Sequence, residues 1–270
     1  MKVSDRLPKN GLWVVVLVTL IAGVGGFARS AASQGVVESR GIRFRLIPAG
    51  TYILGSPAEE PGRYVDEAPP HSVRLPAFYL AITETTNAQY ARFLKATGYE
   101  APLYWQDRNL NAPTQPVVGV TWNDAVAFTQ WLTRVTGVQH RLPTEAEWEA
   151  AARGGLDLQP YPWGDAVPEA DGVYRANFYP GSPGYRFTAP VGSFRPNGYG
   201  LFDMAGNVAE WCLDTVSSGR GAFSGADNRI LKGGSYYSRA RDLRCAAHQS
   251  APPQSTDGFI GFRVVRLPAP

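Results

Sequence analysis

Beyond residue 40 this chain of 270 residues has no block of like charge, no Ser/Gly-rich linker and no internal repeat. With nothing to divide it, the stretch 41–268 reads as one domain. Surplus charge is missing from that body too. The formal net charge of +3 resides in the first 32 residues, where Lys2, Arg6, Lys9 and Arg29 face a single acid, Asp5. A neutral body lacks the clustered Lys and Arg that phosphates demand, which excludes nucleic acid as a partner. Cysteine and histidine are scarce, at two and three residues. Proline (22) and glycine (29) are abundant and the apolar runs of the body are short, a combination that predicts many loops, short strands and few helices. A hydrophobic content of 44% with 12% aromatics still supplies a sizeable core, so the composition is that of a folded chain.

The N-terminus carries the one long apolar run. Lys2, Arg6 and Lys9 precede Leu12–Ala22, and Ser30, Ala31, Ala32 and Ser33 supply small residues for cleavage. Residues 1–32 therefore read as a signal peptide. The weakly polar continuation from Gly23 to Phe27 brings the run near spanning length, which leaves an uncleaved N-terminal anchor as the alternative. A membrane is a partner only in that case. Either way the body is expected to be exported, to a periplasmic or extracellular, oxidising compartment. There Cys212 and Cys245 are expected to form a disulfide, worth roughly 3–4 kcal/mol on a chain-entropy basis. A dithiolate site for a soft metal such as Cu(I) is the alternative.

Three capping boxes predict helix starts, because a Thr hydroxyl can cap backbone amides while an acid or amide three residues on reaches back. Thr86 with Gln89 opens NAQYARFL, Thr121 with Asp124 opens WNDAVAFTQWL, and Thr144 with Glu147 opens EAEWEAAAR, which Gly154 ends. Trp148, Ala151 and Ala152 share a face of the third helix and are expected to point inward. Short strands are expected at Phe44–Ile47, Tyr52–Leu54, Val73–Leu75 and Phe262–Val265.

Eight strings then follow in order: IPAGTYILGS (Ile47 to Ser56), ETTNAQYARF (Glu84 to Phe93), PVVGVTWNDAVAF (Pro116 to Phe128), RLPTEAEWEAAARGG (Arg141 to Gly155), YPWGD (Tyr161 to Asp165), NGYGLFDMAGNVAEW (Asn197 to Trp211), KGGSY (Lys232 to Tyr236) and GFR (Gly261 to Arg263). By them the chain resembles the formylglycine-generating enzyme, or sulfatase-modifying factor, superfamily, which includes pyoverdine-maturation and ergothioneine-pathway branches. The resemblance implies an α+β, C-type-lectin-like fold, loop-rich with short strands and few helices.

What the resemblance implies about chemistry is uneven along the chain. Asp203 and Glu210, through side chains, and Gly206 and Val208, through carbonyls, match the family's calcium loop, and hard oxygens framing a glycine turn suit that ion. The plainer alternative is a structural turn with Glu210 bonded to amides. A weaker second calcium site would use Asn177 and the carbonyls of Phe178 and Tyr185, where the position of the family's aspartate is Pro183. Ser235 matches an active-site serine, but Ser238 stands where the first copper-binding cysteine belongs, and the second falls in a stretch about three residues shorter. No copper is expected. His248 takes the place of a family arginine and is the candidate base for Ser235, although a histidine with no identified orienting acid is more often solvated or held in a core. Tyr236, Tyr237, Ser238 and Arg263 are the expected pocket residues. Iron on the ergothioneine pattern needs three histidines; His71, His140 and His248 are widely spaced and match no ligand motif. Trp122, Trp131, Trp148, Trp163 and Trp211 read as core packing. The expected function is a copper-independent oxidative maturation factor acting on a peptide or small-molecule secondary metabolite. A non-catalytic binding or assembly module is the alternative, and an orthodox formylglycine generator is opposed by the missing thiols.

Overall fold

The computed structural model describes residues 35–180, 184–216 and 227–268. In chain order the elements are β1 (Val36–Ser39), β2 (Ile42–Ile47), β3 (Gly50–Leu54), β4 (His71–Leu75), β5 (Phe78–Ala81), α1 (Asn87–Thr97), α2 (Trp122–Thr136), β6 (His140–Arg141), α3 (Glu145–Arg153), β7 (Ala209–Thr215), β8 (Arg229–Lys232), β9 (His248–Ala251), β10 (Ile260–Gly261) and β11 (Val265–Arg266). They form a five-stranded sheet in the order β1-β2-β5-β11-β6, a four-stranded sheet β10-β7-β8-β9 and the hairpin β3-β4. This is the expected α+β, loop-rich architecture, and none of its described helices is long and apolar enough to cross a membrane. The expected signal segment 1–32 lies outside the described residues.

All three expected helices begin at their capping boxes, with Thr86, Thr121 and Thr144 accepting from the amide three residues on and Gln89, Asp124 and Glu147 reaching back. Each ends on a left-handed glycine, Gly98, Gly137 or Gly154, where the lack of Cβ removes the steric penalty. The inner faces of α1 and α2 meet in one apolar cluster, where Tyr90 stacks on Phe128 with ring centroids 5.6 Å apart. The third helix packs on a second cluster through Trp148, Ala151 and Ala152, all buried as expected. Trp131 and Trp211 are buried too, whereas Trp122 and Trp163 are only partly so.

The strand expected at Phe262–Val265 is instead two short ones with a break between them. Ile260–Gly261 pairs in parallel with β7, and Val265–Arg266 pairs with β5 and β6 in the other sheet. The break lets one segment serve both sheets while turning Arg263 into the junction.

Candidate functional site

Arg263 is expected at a pocket, but the structure buries it completely. Its Nε and Nη2 donate to both oxygens of Glu210 at 2.6 Å, and Trp148 Nε1 donates to Glu210 Oε2 at 2.7 Å. Arg263 Nη2 also donates to the carbonyls of Phe202 and Asp203. Among the described residues only Glu210 pairs with this guanidinium, while the carboxyls of Glu84 and Asp203 feel its charge from nearby. Burial pushes the Glu84 carboxyl well above its ordinary range and Asp203 up to about 6. Asp203 Oδ2 accepts from the Gly192 amide at 2.6 Å.

This arrangement bears on the calcium expectation. Both oxygens of Glu210 are committed to Arg263 and Trp148, so the Asp203–Glu210 loop does not offer the carboxylate pair that a cation needs; the internal guanidinium stands in the cation's role. The alternative of a structural turn is nearer, with a side-chain cation rather than amides as the partner. The Asn177 group fits better. Asn177 is buried and its Oδ1 has no hydrogen-bond partner, while its Nδ2 donates to the Phe187 carbonyl at 2.8 Å. An orphaned hard oxygen deep in the fold is what a calcium ligand looks like before the ion arrives. Pro183 lies outside the described residues. The two segments touch: Asn207 N donates to the Asn177 carbonyl at 2.8 Å, and a Cβ on Gly206 would stand 2.2 Å from that carbonyl oxygen. Only glycine, here at φ 75°, permits the approach.

Ser235 and Ser238 are brought together, with hydroxyls 3.2 Å apart. Ser235 N donates to Ser238 Oγ at 3.0 Å and Tyr237 N donates to Ser235 Oγ at 3.2 Å. Both serines are buried, and their bonds hold a tight turn that presents Tyr236 and Tyr237. His248 does not join them on one cavity wall. It lines a small separate cavity of about 60 Å³ with His71, Glu145 and Glu149, its Nε2 3.7 Å from Asp66 and its Nδ1 3.7 Å from Glu145. These acids around His248 are the partners that the sequence left unidentified. Among the described residues no three His, Cys, Asp or Glu side chains are arranged to hold a metal.

The expected disulfide is not made. Cys212 and Cys245 are free, buried thiols within the same apolar cluster. Burial pushes Cys212 upward and Cys245 up to about 12, so neither is a ready thiolate for a metal.

Tyr236 and Tyr237 open onto the largest cavity described, about 690 Å³. Tyr104, Tyr179, Tyr185, Phe187 and Phe259 supply the other rings, and Asp107, Asp257 and Arg186 supply charge. Tyr237 stacks on Phe259 at 6.1 Å and 16°, Phe187 meets Tyr236 edge-on at 6.0 Å, and Tyr236 donates to the Gly258 carbonyl. Arg186 is engaged over Phe187, whereas the Asp257 carboxylate is exposed with no ion pair. Tyr185, expected as a calcium ligand through its carbonyl, lies on this wall, and Phe178 borders a neighbouring cavity with Tyr179. No cysteine lines the cleft. Sequence reasoning missed Tyr104, Asp107, Tyr179, Phe187, Asp257 and Phe259, which come from loops without periodicity.

Fold and cleft together define an irregular α+β scaffold whose GGSYY turn opens an aromatic cavity. The model of the sulfatase-modifying factor enzyme 1-like domain matches residues 34–268. A formylglycine-generating enzyme of Thermomonospora curvata is 36% identical, the match covering 82% of this chain and 92% of that protein. The solved structure of PvdO from Pseudomonas aeruginosa is 31% identical with a TM-score of 0.76, covering 86% of this chain and 98% of that one. Treponema denticola variable protein 1 is 25% identical with a TM-score of 0.69, at 86% and 98% coverage. The chain belongs to the sulfatase-modifying factor, or formylglycine-generating enzyme, family.

Proposed function

We propose that this chain is an exported, copper-independent member of its family that takes a peptide or secondary metabolite into the aromatic cleft. The observation that carries the reading is the composition of that cleft: seven aromatic rings, two carboxylates and Arg186 around about 690 Å³, with no thiol among them. Ser238, expected in the pocket, is instead buried against Ser235 and does not line it. Rings on several sides suit a flat or cyclic group, and the unpaired Asp257 suits a donor or a cation beside it. Binding is the part that the geometry supports best. Ser235 is buried and bonded to Ser238, and His248 faces another cavity, so no activated nucleophile is assembled.

Oxidative maturation of the bound group is the second reading. It is favoured by the match to an enzyme family over nearly the whole body. One incubation separates these readings from the orthodox activity. The purified protein is given copper, dioxygen and a Cys-x-Pro-x-Arg peptide, and the products are weighed by mass spectrometry. No aldehyde is expected; its appearance would overturn copper independence. Tyr237→Ala should abolish retention of the natural ligand while leaving the melting temperature nearly unchanged, because the ring is 69% exposed. Retention at wild-type strength would remove the cleft as the binding site.

Calcium at Asn177, Phe178 and Tyr185 completes the proposal. The Asn177 side chain would hold the ion and the two carbonyls would flank it, steadying Tyr179 and Tyr185 on the cleft wall.

A further inference from the structure

A second cavity, of about 380 Å³, shares no residue with the cleft or with the calcium segments. Its apolar wall is Leu158, Pro160, Tyr161 and Val167, and its acids are Glu59, Glu60 and Asp165. The wall is firmly held. Cys245 N donates to the Pro160 carbonyl at 2.7 Å, Arg153 Nη1 donates to the Gln159 carbonyl at 3.1 Å, and Tyr161 is nearly buried with Trp163 stacked on it at 5.2 Å and 4°. Leu158 sits at φ 54°, a left-handed conformation that non-glycine residues seldom adopt, with its side chain at the cavity rather than in the core. Val167 is 51% exposed.

Charge around this groove is divided by burial. Arg244 and Arg153 are inside and paired, Arg244 gripping Glu60 at 2.7 Å and also Glu67, and Arg153 gripping Glu149 at 2.6 Å. Half-buried Arg63 donates to the Ser56 and Glu67 carbonyls, and exposed Arg241 is engaged by Tyr64. Glu59 and Asp165 are exposed and make no ion pair or hydrogen bond. The open face therefore combines an apolar wall with two unopposed carboxylates. Proline contributes no amide donor to that wall, so the groove offers a ligand apolar contact and negative charge but few hydrogen-bond donors. An arginine or lysine side chain has the complementary build, an apolar stem ending in a cationic, donor-rich head.

We propose that this groove docks a peptide segment of a partner protein through one arginine or lysine, its stem on Leu158, Pro160 and Val167 and its head between Glu59 and Asp165. The site is separate from the aromatic cleft and does not depend on what the cleft binds. A volume near 380 Å³ accommodates one long side chain and part of its neighbours.

The test uses the full chain and two blocked pentapeptides, one with arginine between leucine and proline, the other with glutamine in its place. Binding is followed by amide chemical shifts. The arginine peptide should bind with Kd on the order of 1 mM, and the glutamine peptide at least about five-fold more weakly. The double variant Glu59→Gln with Asp165→Asn should weaken the arginine peptide about ten-fold, as should raising salt several-fold, since both charges are exposed. Leu158→Gly relieves the backbone conformation and removes the stem contact, so it should weaken binding without lowering the melting temperature. Tyr237→Ala should change nothing at this groove. Equal binding of the two peptides, or an unaffected double variant, overturns the proposal. So would a dimer in sedimentation that the double variant abolishes, because the occupant would then be a second copy of the chain.

Discussion

At Glu210 two hydrogen-bond donors, Trp148 and Arg263, converge on one buried carboxylate, and removing the cation leaves an uncompensated charge. Arg263→Met should destabilise the fold by about 3–5 kcal/mol in urea unfolding. A change below about 1 kcal/mol would refute the role given to this buried pair. His140 gives a pH prediction. It is buried against Phe44, and burial pulls its pKa down from 6.5 to about 4. The unfolded chain takes up that proton as pH falls below 6.5, whereas the folded one resists until about 4. Stability present above 6.5 is therefore lost through this window, by up to about 1.4 kcal/mol per pH unit. Asp203, raised to about 6, titrates nearby with the opposite sign, because its folded form holds the proton more tightly than the unfolded chain. Comparison with His140→Gln isolates the histidine: the variant should lose less stability between pH 6.5 and 4 than the wild type. Parallel curves would refute the assignment.

The helices show how much of an element is local. Thr144→Ala removes the acceptor for the Glu147 amide and should cost about 1 kcal/mol. Glu147→Ala should cost more, because Glu147 also grips Arg141 with two bonds of 2.6 Å. Equal losses would show that the ion pair contributes nothing. These boxes were legible in sequence because each is complete within four residues. Strands were less so. Strands β2, β3 and β4 stand where short strands were expected, but β1, β5 and β6 to β9 were not. The segment Phe262–Val265 was read as one strand because nothing local reveals that Arg263 must turn inward to a glutamate 53 positions away.

For the whole molecule, the scaffold was legible and the site only in part. The ordered strings reported the fold, and the GGSYY turn reported Tyr236 and Tyr237. The remaining cleft walls come from around residues 104–107, 179–180, 185–187 and 257–259, which meet only after folding. The Ser235–His248 pairing failed for the same reason, since β9 carries His248 to a cavity shared with His71 and Glu145. Calcium binding should appear as a rise in melting temperature with added calcium, lost in Asn177→Ala, since an ion that binds only the folded chain stabilises it by mass action. An identical rise in the variant would place the ion elsewhere. Chelators should then loosen the wall near Tyr185 and spare the junction at Arg263. That junction holds its positive charge on a side chain of the polypeptide, so the charge can be neither diluted nor stripped away. Where a bound ion would tie the meeting of the two sheets to the ion supply of the surroundings, a tethered guanidinium makes that part of the fold self-sufficient.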